Sequence, residues 1–266
     1  MSAVFAERLL PPLPAMPPAR RIGDASPAPS GALRSDEIAS MQAGRWFSGL
    51  SEPLRLAIVN RARVRRVTAG TVLAQRGQAC ANWVGVVRGA VRLGTPLADG
   101  RSFTLDFIGA GQWFGDIAAV DHGVAGLDIV AHVPSTILDV ARTELRRLIE
   151  DHEELREALL QLNCRRLRYM VRRFEELHTL ALPQRLAREL QRLAHRFGRA
   201  VEAGVCIELA VSQGDLAALV GGSRQRVNRA LGQMQQAGIV TLGSTRLVLR
   251  EPDRLEAVAA GRCMLG

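Results

Sequence analysis

GGSRQRVNRAL, residues 221–231, places four arginine or glutamine side chains within eleven residues and keeps valine and leucine at helical spacing. Such a run is either the solvated face of a helix or a helix built to lie in a groove of DNA. The flanking sequence bears on the choice. Ser212 is followed three residues later by Asp215, a capping-box start for a helix carrying Leu216, Leu219 and Val220. Gly221 and Gly222 break that helix, and Ser223 can cap the next one. At about 100° per residue, Arg224, Gln225, Asn228 and Arg229 share one side of the second helix, within about 140°. Val227, Ala230, Leu231 and Met234 lie opposite and form a core face, with Arg226 between the two. Two alternating runs, 239–242 and 246–249, then read as a hairpin or wing. Arginine can pair with guanine O6 and N7, and glutamine or asparagine with adenine, so the exposed side carries the groups that read base edges. A short turn between two capped helices, followed by a hairpin, predicts a winged helix-turn-helix whose second helix, 223–236, enters the major groove of double-stranded DNA.

The bulk composition agrees. Net charge is +9, the pI is about 11.0, and every one of the 35 cations is an arginine. This excess points to an anionic partner, with nucleic acid ahead of a membrane surface. Hydrophobic residues make up 47% of the 266, enough for one large domain or two smaller ones. Cys80, Cys164, Cys206 and Cys263 are too scattered for a zinc or iron–sulfur set and read as reduced thiols of a cytoplasmic protein. No apolar run approaches the ~20 residues that span a bilayer. The N-terminal FAERLLPPLPAMPPAR has too many prolines and no basic start, and does not read as a signal peptide.

The chain divides into parts. Residues 1–38, rich in Pro, Ala and Ser, are expected to be an arm without regular structure. In 39–142, closely spaced glycines separate short β-rich runs at 71–73, 83–87, 90–93, 103–107, 128–131 and 136–140, which suggests a jelly roll. Residues 143–180 contain neither Gly nor Pro and are expected to form one long helix. Leu160, Leu167, Val171 and Phe174 recur there at spacings of seven, four and three, broadened by Asn163, Met170 and Leu177; the stripe suits a partner helix or the flank of the roll, and its length favours a partner. Residues 181–254 hold the helix-turn-helix and 255–266 a tail. The fold class is therefore α+β.

In this order, these motifs resemble the Crp/Fnr family of bacterial transcription regulators. The likeness rests on Ser223-Arg224-Gln225-Arg226-Val227-Asn228-Arg229-Ala230-Leu231, on Ala237-Gly238-Ile239, on Gly89-Ala90-Val91, and on the turn from Gly109 to Asp116. It implies a cyclic-nucleotide-binding-like β-roll, a dimerisation helix and a C-terminal DNA-binding domain, acting as a homodimer with RNA polymerase as a further partner. It assigns base contacts to Arg224, Gln225 and Arg229. Ser212, Gln213 and Ser223 match phosphate-binding positions; Arg226 and Arg246 are added here as phosphate candidates. Many members carry glutamate where Gln225 stands, so a half-site different from that of the cyclic-AMP receptor protein is expected.

The sensor departs from the pattern. The resemblance places a ribose-binding carboxylate after Gly115, at Asp116, and a phosphate-binding Arg-Ser pair at positions occupied here by Gly126 and Leu127. A buried phosphate without its cation loses its charge-assisted partner. Met170 and Val171, aligned with adenine-binding positions, offer no strong donors. Cyclic AMP is not the expected effector; nor is an iron–sulfur cluster, since residues 1–79 contain no cysteine, or haem, for which His122, His132 and His152 offer single ligands. The alternative function is a nucleotide- or small-molecule-sensing module that controls a partner protein. No metal set, P-loop, nucleophile elbow or dinucleotide turn suggests an enzyme.

Overall fold

The computed structural model describes residues 33–263 apart from 43, 80, 81, 98, 122, 244 and 245. The chain enters through α1 (Ser35–Gln42), the short turn α2 (Arg45–Ser48) and α3 (Glu52–Arg61). Eight strands follow: β1 (Arg63–Val67), β2 (Val72–Ala74), β3 (Asn82–Arg88), β4 (Ala90–Pro96), β5 (Ser102–Gly109), β6 (Trp113–Phe114), β7 (Asp128–Ala131) and β8 (Ser135–Ala141), with α4 (Asp116–Asp121) between β6 and β7. They form two four-stranded antiparallel sheets, ordered β1-β8-β3-β6 and β2-β7-β4-β5. The predicted roll is present.

Strand β3 shows why its sequence is continuously apolar. Val84 and Val86 point between the sheets, where they meet Val91, Phe114, Ile129 and Ile137. Trp83 and Val87 point the other way, into a second core built with Phe47, Leu54, Trp113, Leu145 and Leu155. Both faces are covered, so strict alternation is lost. Gly44 and Gly111 pack backbone to backbone, and a Cβ on Gly111 would lie 2.4 Å from the Cα of Gly44. Gly111 also has φ +76, a conformation that side chains resist.

Three expectations need correction. The arm was bounded at residue 38, yet α1 begins at Ser35, and Glu37 is buried, accepting from Arg34 N, Thr136 Oγ1 and Arg66 Nη2. Those bonds outweigh the burial that opposes ionisation and hold the Glu37 carboxyl below its usual range. Residues 143–180 are two helices, α5 (Arg142–Asp151) and α6 (Glu153–Thr179), broken at His152 in an extended conformation. The break lets Leu145 and Leu148 of α5 and Leu155 and Leu159 of α6 reach the same core. The presumed tail begins inside α10 (Pro252–Ala259), whose Leu255, Val258 and Ala259 are buried. Strand β1, rich in arginine, was not anticipated; it pairs with β8, and Arg65 bonds Asp139 at 2.6 Å.

The C-terminal unit comprises α7 (Leu182–Phe197), β9 (Gly198–Val201), β10 (Gly204–Ile207), α8 (Gln213–Val220), α9 (Arg224–Gln236), β11 (Val240–Leu242), β12 (Leu247–Leu249) and then α10. Its strands form a sheet ordered β11-β12-β10-β9. Leu186, Leu190, Leu216, Val227, Leu231, Met234 and Leu255 share one core.

We expect Gly111→Ala to lower stability by about 1–3 kcal/mol, because the added methyl overpacks a backbone contact at positive φ. Urea unfolding midpoints at matched slope check this; an unchanged midpoint would mean that the Gly44–Gly111 contact relaxes freely.

Candidate nucleic-acid interface

Both interface helices are capped as the sequence suggests. Ser212 Oγ accepts from Asp215 N at 3.1 Å, while Asp215 Oδ2 accepts from Ser212 N at 2.8 Å. Gly221 ends α8 in the left-handed conformation, and Ser223 Oγ accepts from Arg226 N at 3.3 Å to begin α9. Gly222 is closely covered: a Cβ there would sit 2.6 Å from Leu182 Cδ1. The tight turn and two caps fix the angle between α8 and α9.

The inner face of α9 is closed and the outer face open. Val227, Ala230, Leu231 and Met234 are at most 3% exposed. Arg224, Gln225, Arg226, Asn228 and Arg229 are all exposed. Arg246, at the wing, is exposed as well. Gln213 Nε2 donates to Asn228 Oδ1 at 3.0 Å, so a residue expected at phosphate and one expected at bases are bound to each other. The Ser212 hydroxyl is engaged with Asp215 Oδ2 at 2.7 Å and serves the cap first. Burial, and then the nearby charge of Arg226, lower the Arg185 pKa.

The expected sensor residues do not assemble into one pocket. Asp116 is 1% exposed, and both carboxylate oxygens are taken. Arg166 Nη1 donates to Oδ1 and Oδ2 at 2.8 and 2.9 Å, and Asn163 Nδ2 to Oδ2 at 2.7 Å. Arg166 Nη2 also donates to the Trp113 carbonyl. Asn163 therefore turns toward the roll, away from the stripe it was expected to broaden. Gly115, with φ +91, precedes α4 and approaches the Asn82 carbonyl. Gly126 is exposed and Leu127 half-buried, in the loop that meets α4 where Ala125 packs with Ala118 and Ala74. Met170 and Val171 line a different groove, about 460 Å³, with Phe103, Leu105, Leu177 and Leu219. His132 spends its Nε2 on the Ala210 carbonyl (2.7 Å) and packs on Phe107, while His152 sits at the break between α5 and α6. His122 and Cys80 lie outside the described residues. Among those described, no group of three or more His, Cys, Asp or Glu could hold a metal, and no helix is long and apolar enough to cross a membrane.

An ionic cluster that was not anticipated joins the C-terminal unit to the rest. Glu189 of α7, 1% exposed, pairs with Arg173 of α6 and Arg192 of its own helix. Glu176 of α6 accepts from Arg188 Nη1 at 3.0 Å and from Arg192 at 3.1 and 3.0 Å. Arg173 Nη2 reaches the Leu219 carbonyl of α8 at 2.9 Å, and Arg196 pairs with Asp106 of β5 at 2.6 Å. Burial opposes ionisation of Glu176, but the bonds from Arg192 and Arg188 prevail and hold its carboxyl below the usual range. One signal was available: Glu189 stands among Leu186, Leu190 and Leu193 on the apolar face of α7, where an acid requires a buried partner.

A β-roll joined by a long helix to a winged helix-turn-helix, with an open polar face on the second helix, defines a DNA-binding protein of the two-domain regulator class. Comparison with known proteins agrees. Residues 64–152 match the cyclic nucleotide-binding domain family and residues 184–258 the Crp-like helix-turn-helix domain family. The CRP-like cAMP-activated global transcriptional regulator of Mycobacterium tuberculosis is 30% identical over 172 residues, 64% of this chain and 76% of that one. The cyclic AMP receptor protein of Thermus thermophilus is 31% identical over 176 residues, 66% and 78% of the two chains. In fold, FixK2 of Bradyrhizobium japonicum superposes with a TM-score of 0.67 at 24% identity, covering 74% of this chain and 96% of that one. The global regulator CLP of Xanthomonas campestris gives 0.65 at 21%, covering 75% and 99%. The chain belongs to the Crp/Fnr family of DNA-binding transcription regulators.

Glu189→Ala should cost about 3–5 kcal/mol, because it leaves Arg173 and Arg192 facing a buried site without their acid. Chemical denaturation gives this number directly; a loss below about 1 kcal/mol would place the cluster in solvent-like surroundings. The lowered carboxyl of Glu176 sets a sign: its contribution is complete above the ordinary carboxylate pKa and is lost as pH falls through the lower native value. Unfolding between neutral pH and about pH 3 should therefore show Glu176→Gln with a flatter acid limb than the parent chain.

Proposed function

We propose that the chain acts as a homodimer that reads a pseudo-palindromic DNA site through α9, with its head orientation set without cyclic AMP. The observation that carries the DNA reading is the division of α9 into a buried apolar face and an open face of Arg224, Gln225, Asn228 and Arg229. In this reading Arg224, Gln225 and Arg229 take base edges, and Asn228 does so with Nδ2 while Gln213 holds its carbonyl oxygen. Ser223, Arg226 and Arg246 take phosphates and fix docking, with Ser212 and Gln213 at the rim. RNA polymerase is the further partner in this scheme.

The dimer rests on the outer stripe of α6. Leu160, Leu167, Val171 and Phe174 are 60–67% exposed and spaced along about 21 Å of helix. An apolar stripe of that length in water calls for a matching stripe, and a second copy supplies one. Two copies of α9 would then address half-sites about one helical turn apart. Against cyclic AMP stand the occupied oxygens of Asp116 and the residues Gly126 and Leu127 at the phosphate position.

The test is selection of bound duplexes from a random pool, followed by affinity measurement on the selected site. Arg224→Ala or Arg229→Ala should each cost about 1–3 kcal/mol and relax preference at one base pair per half-site; unchanged selection removes that residue from the reading set. Leu167→Arg with Phe174→Arg should sediment as a monomer and lose the pseudo-palindrome while each head remains folded. Calorimetry with cyclic AMP should show no saturable heat. Tight binding would mean that Arg166 gives up Asp116 to the ligand.

A further inference from the structure

We propose that the groove between β5, α6 and α8 is a ligand site for a monocarboxylic acid with an apolar body. The groove, about 460 Å³, is of a size that holds a small organic molecule. It lies where three parts of the chain meet. Phe103 and Leu105 come from the roll, Met170 and Leu177 from α6, and Leu219 and Val220 from the last turn of α8. Together they give an apolar body a hydrocarbon wall on three sides.

Two polar groups in the lining set the charge of the occupant. Thr104 is 1% exposed, and its hydroxyl has no hydrogen-bond partner. A buried hydroxyl of this kind is unfavourable until an acceptor reaches it. Arg185 is the second group. Its Nη1 donates to the carbonyls of Leu177 at 2.9 Å and Leu180 at 3.3 Å, while its Nε is enclosed and without a partner. Among the described residues no carboxylate pairs with it. The other charged groups of the lining are satisfied within the chain: Arg173 by Glu189 and the Leu219 carbonyl, Glu176 by Arg188 and Arg192. Arg185 keeps its Nε–Nη2 edge, and such an edge holds a carboxylate through two parallel bonds. A carboxylate has about four acceptor sites, enough for that edge and a hydroxyl together. A lone cation in a hydrocarbon lining selects one negative charge over the two of a phosphate. Burial and Arg226 both oppose the charge on Arg185, and a bound anion offsets both.

The site adjoins the DNA-reading unit. Leu219 and Val220 end α8 beside Gly221, where a Cβ would lie 3.0 Å from Leu177 Cδ1. A ligand held between α6 and α8 therefore bears on the turn that sets α9. This consequence rests on the DNA reading proposed above; the binding itself does not.

Calorimetry on the full chain without DNA tests the site, with decanoate as the probe and decanol as its neutral counterpart. Saturable heat at one decanoate per subunit is expected, with decanol bound about tenfold more weakly or less tightly still. Arg185→Gln should bring the acid-to-alcohol ratio close to one. Thr104→Val removes an unpaired hydroxyl, so it should keep the thermal midpoint and weaken decanoate by about threefold to tenfold. Absence of saturable decanoate binding overturns the proposal, and so does equal binding of acid and alcohol by the parent chain. An unchanged ratio in Arg185→Gln, or an unchanged decanoate affinity in Thr104→Val, also overturns it; the second variant decides alone if the first does not fold. Val171 and Phe174 border both the groove and the outer stripe of α6. Binding that converts a sedimenting dimer to monomers therefore overturns the groove in favour of the stripe. Selection of DNA by α9 is measured separately, so a failed ligand site and a failed DNA reading give different results.

Discussion

Glu189 is the residue on which the arrangement of the molecule turns. It is an acid on the apolar face of α7, almost wholly buried, and the chain can tolerate it there because two arginines arrive from two helices. An unpaired carboxylate in that place would be several kcal/mol uphill. The requirement ties α6 to α7 and, through Arg173 and the Leu219 carbonyl, to α8. Glu176 repeats the arrangement in reverse, with the acid on α6 and the arginines on α7. Reciprocal pairs of this kind contribute little net stability over apolar packing, but they reject alternative registers strongly. Their use here is to specify where the helix-turn-helix sits.

Upstream, the same helix is held by the roll through an equivalent device. Arg166 reaches from α6 to Asp116 and to the Trp113 carbonyl, so that the turn before α4 is bound to the helix by an internal guanidinium. The turn faces the chain's own cation, and the strands around it close over valine, isoleucine and phenylalanine.

What could be read from the sequence follows from the range of the forces involved. The caps at Ser212 and Ser223, the turn at Gly221 and the faces of α9 depend on residues within one or two helical turns, and they stand where the pattern placed them. The glycine-punctuated strands were legible for the same reason. Strand β1 was not, because Arg63, Arg65 and Arg66 hide its alternation, and its pairing with β8 joins residues 68 to 76 positions apart. The break at His152 carries no Gly or Pro; it follows from two leucine pairs that must reach one core. Met170 and Val171 were aligned with adenine-binding positions on a helix whose rotation is set by Arg166 and Arg173, contacts that no local pattern reveals.

These contacts give α6 two working stripes. Asn163, Arg166, Arg173 and Glu176 lie along one side and bind the roll in the first half of the helix and the DNA-binding unit in the second. Leu160, Leu167, Val171 and Phe174 lie on another side, about 120° away at the helical pitch, and face outward. A rotation of α6 that repacked the outer stripe by even one residue position, about 100°, would carry Arg166 off Asp116 and Arg173 off Glu189 together. The two losses are large and simultaneous, so the helix has few intermediate positions. Roll, outer stripe and α9 are consequently not three independent parts. In the proposed dimer, the spacing between two copies of α9 follows from that outer stripe, which the buried acids Asp116 and Glu189 aim through their arginine partners on α6.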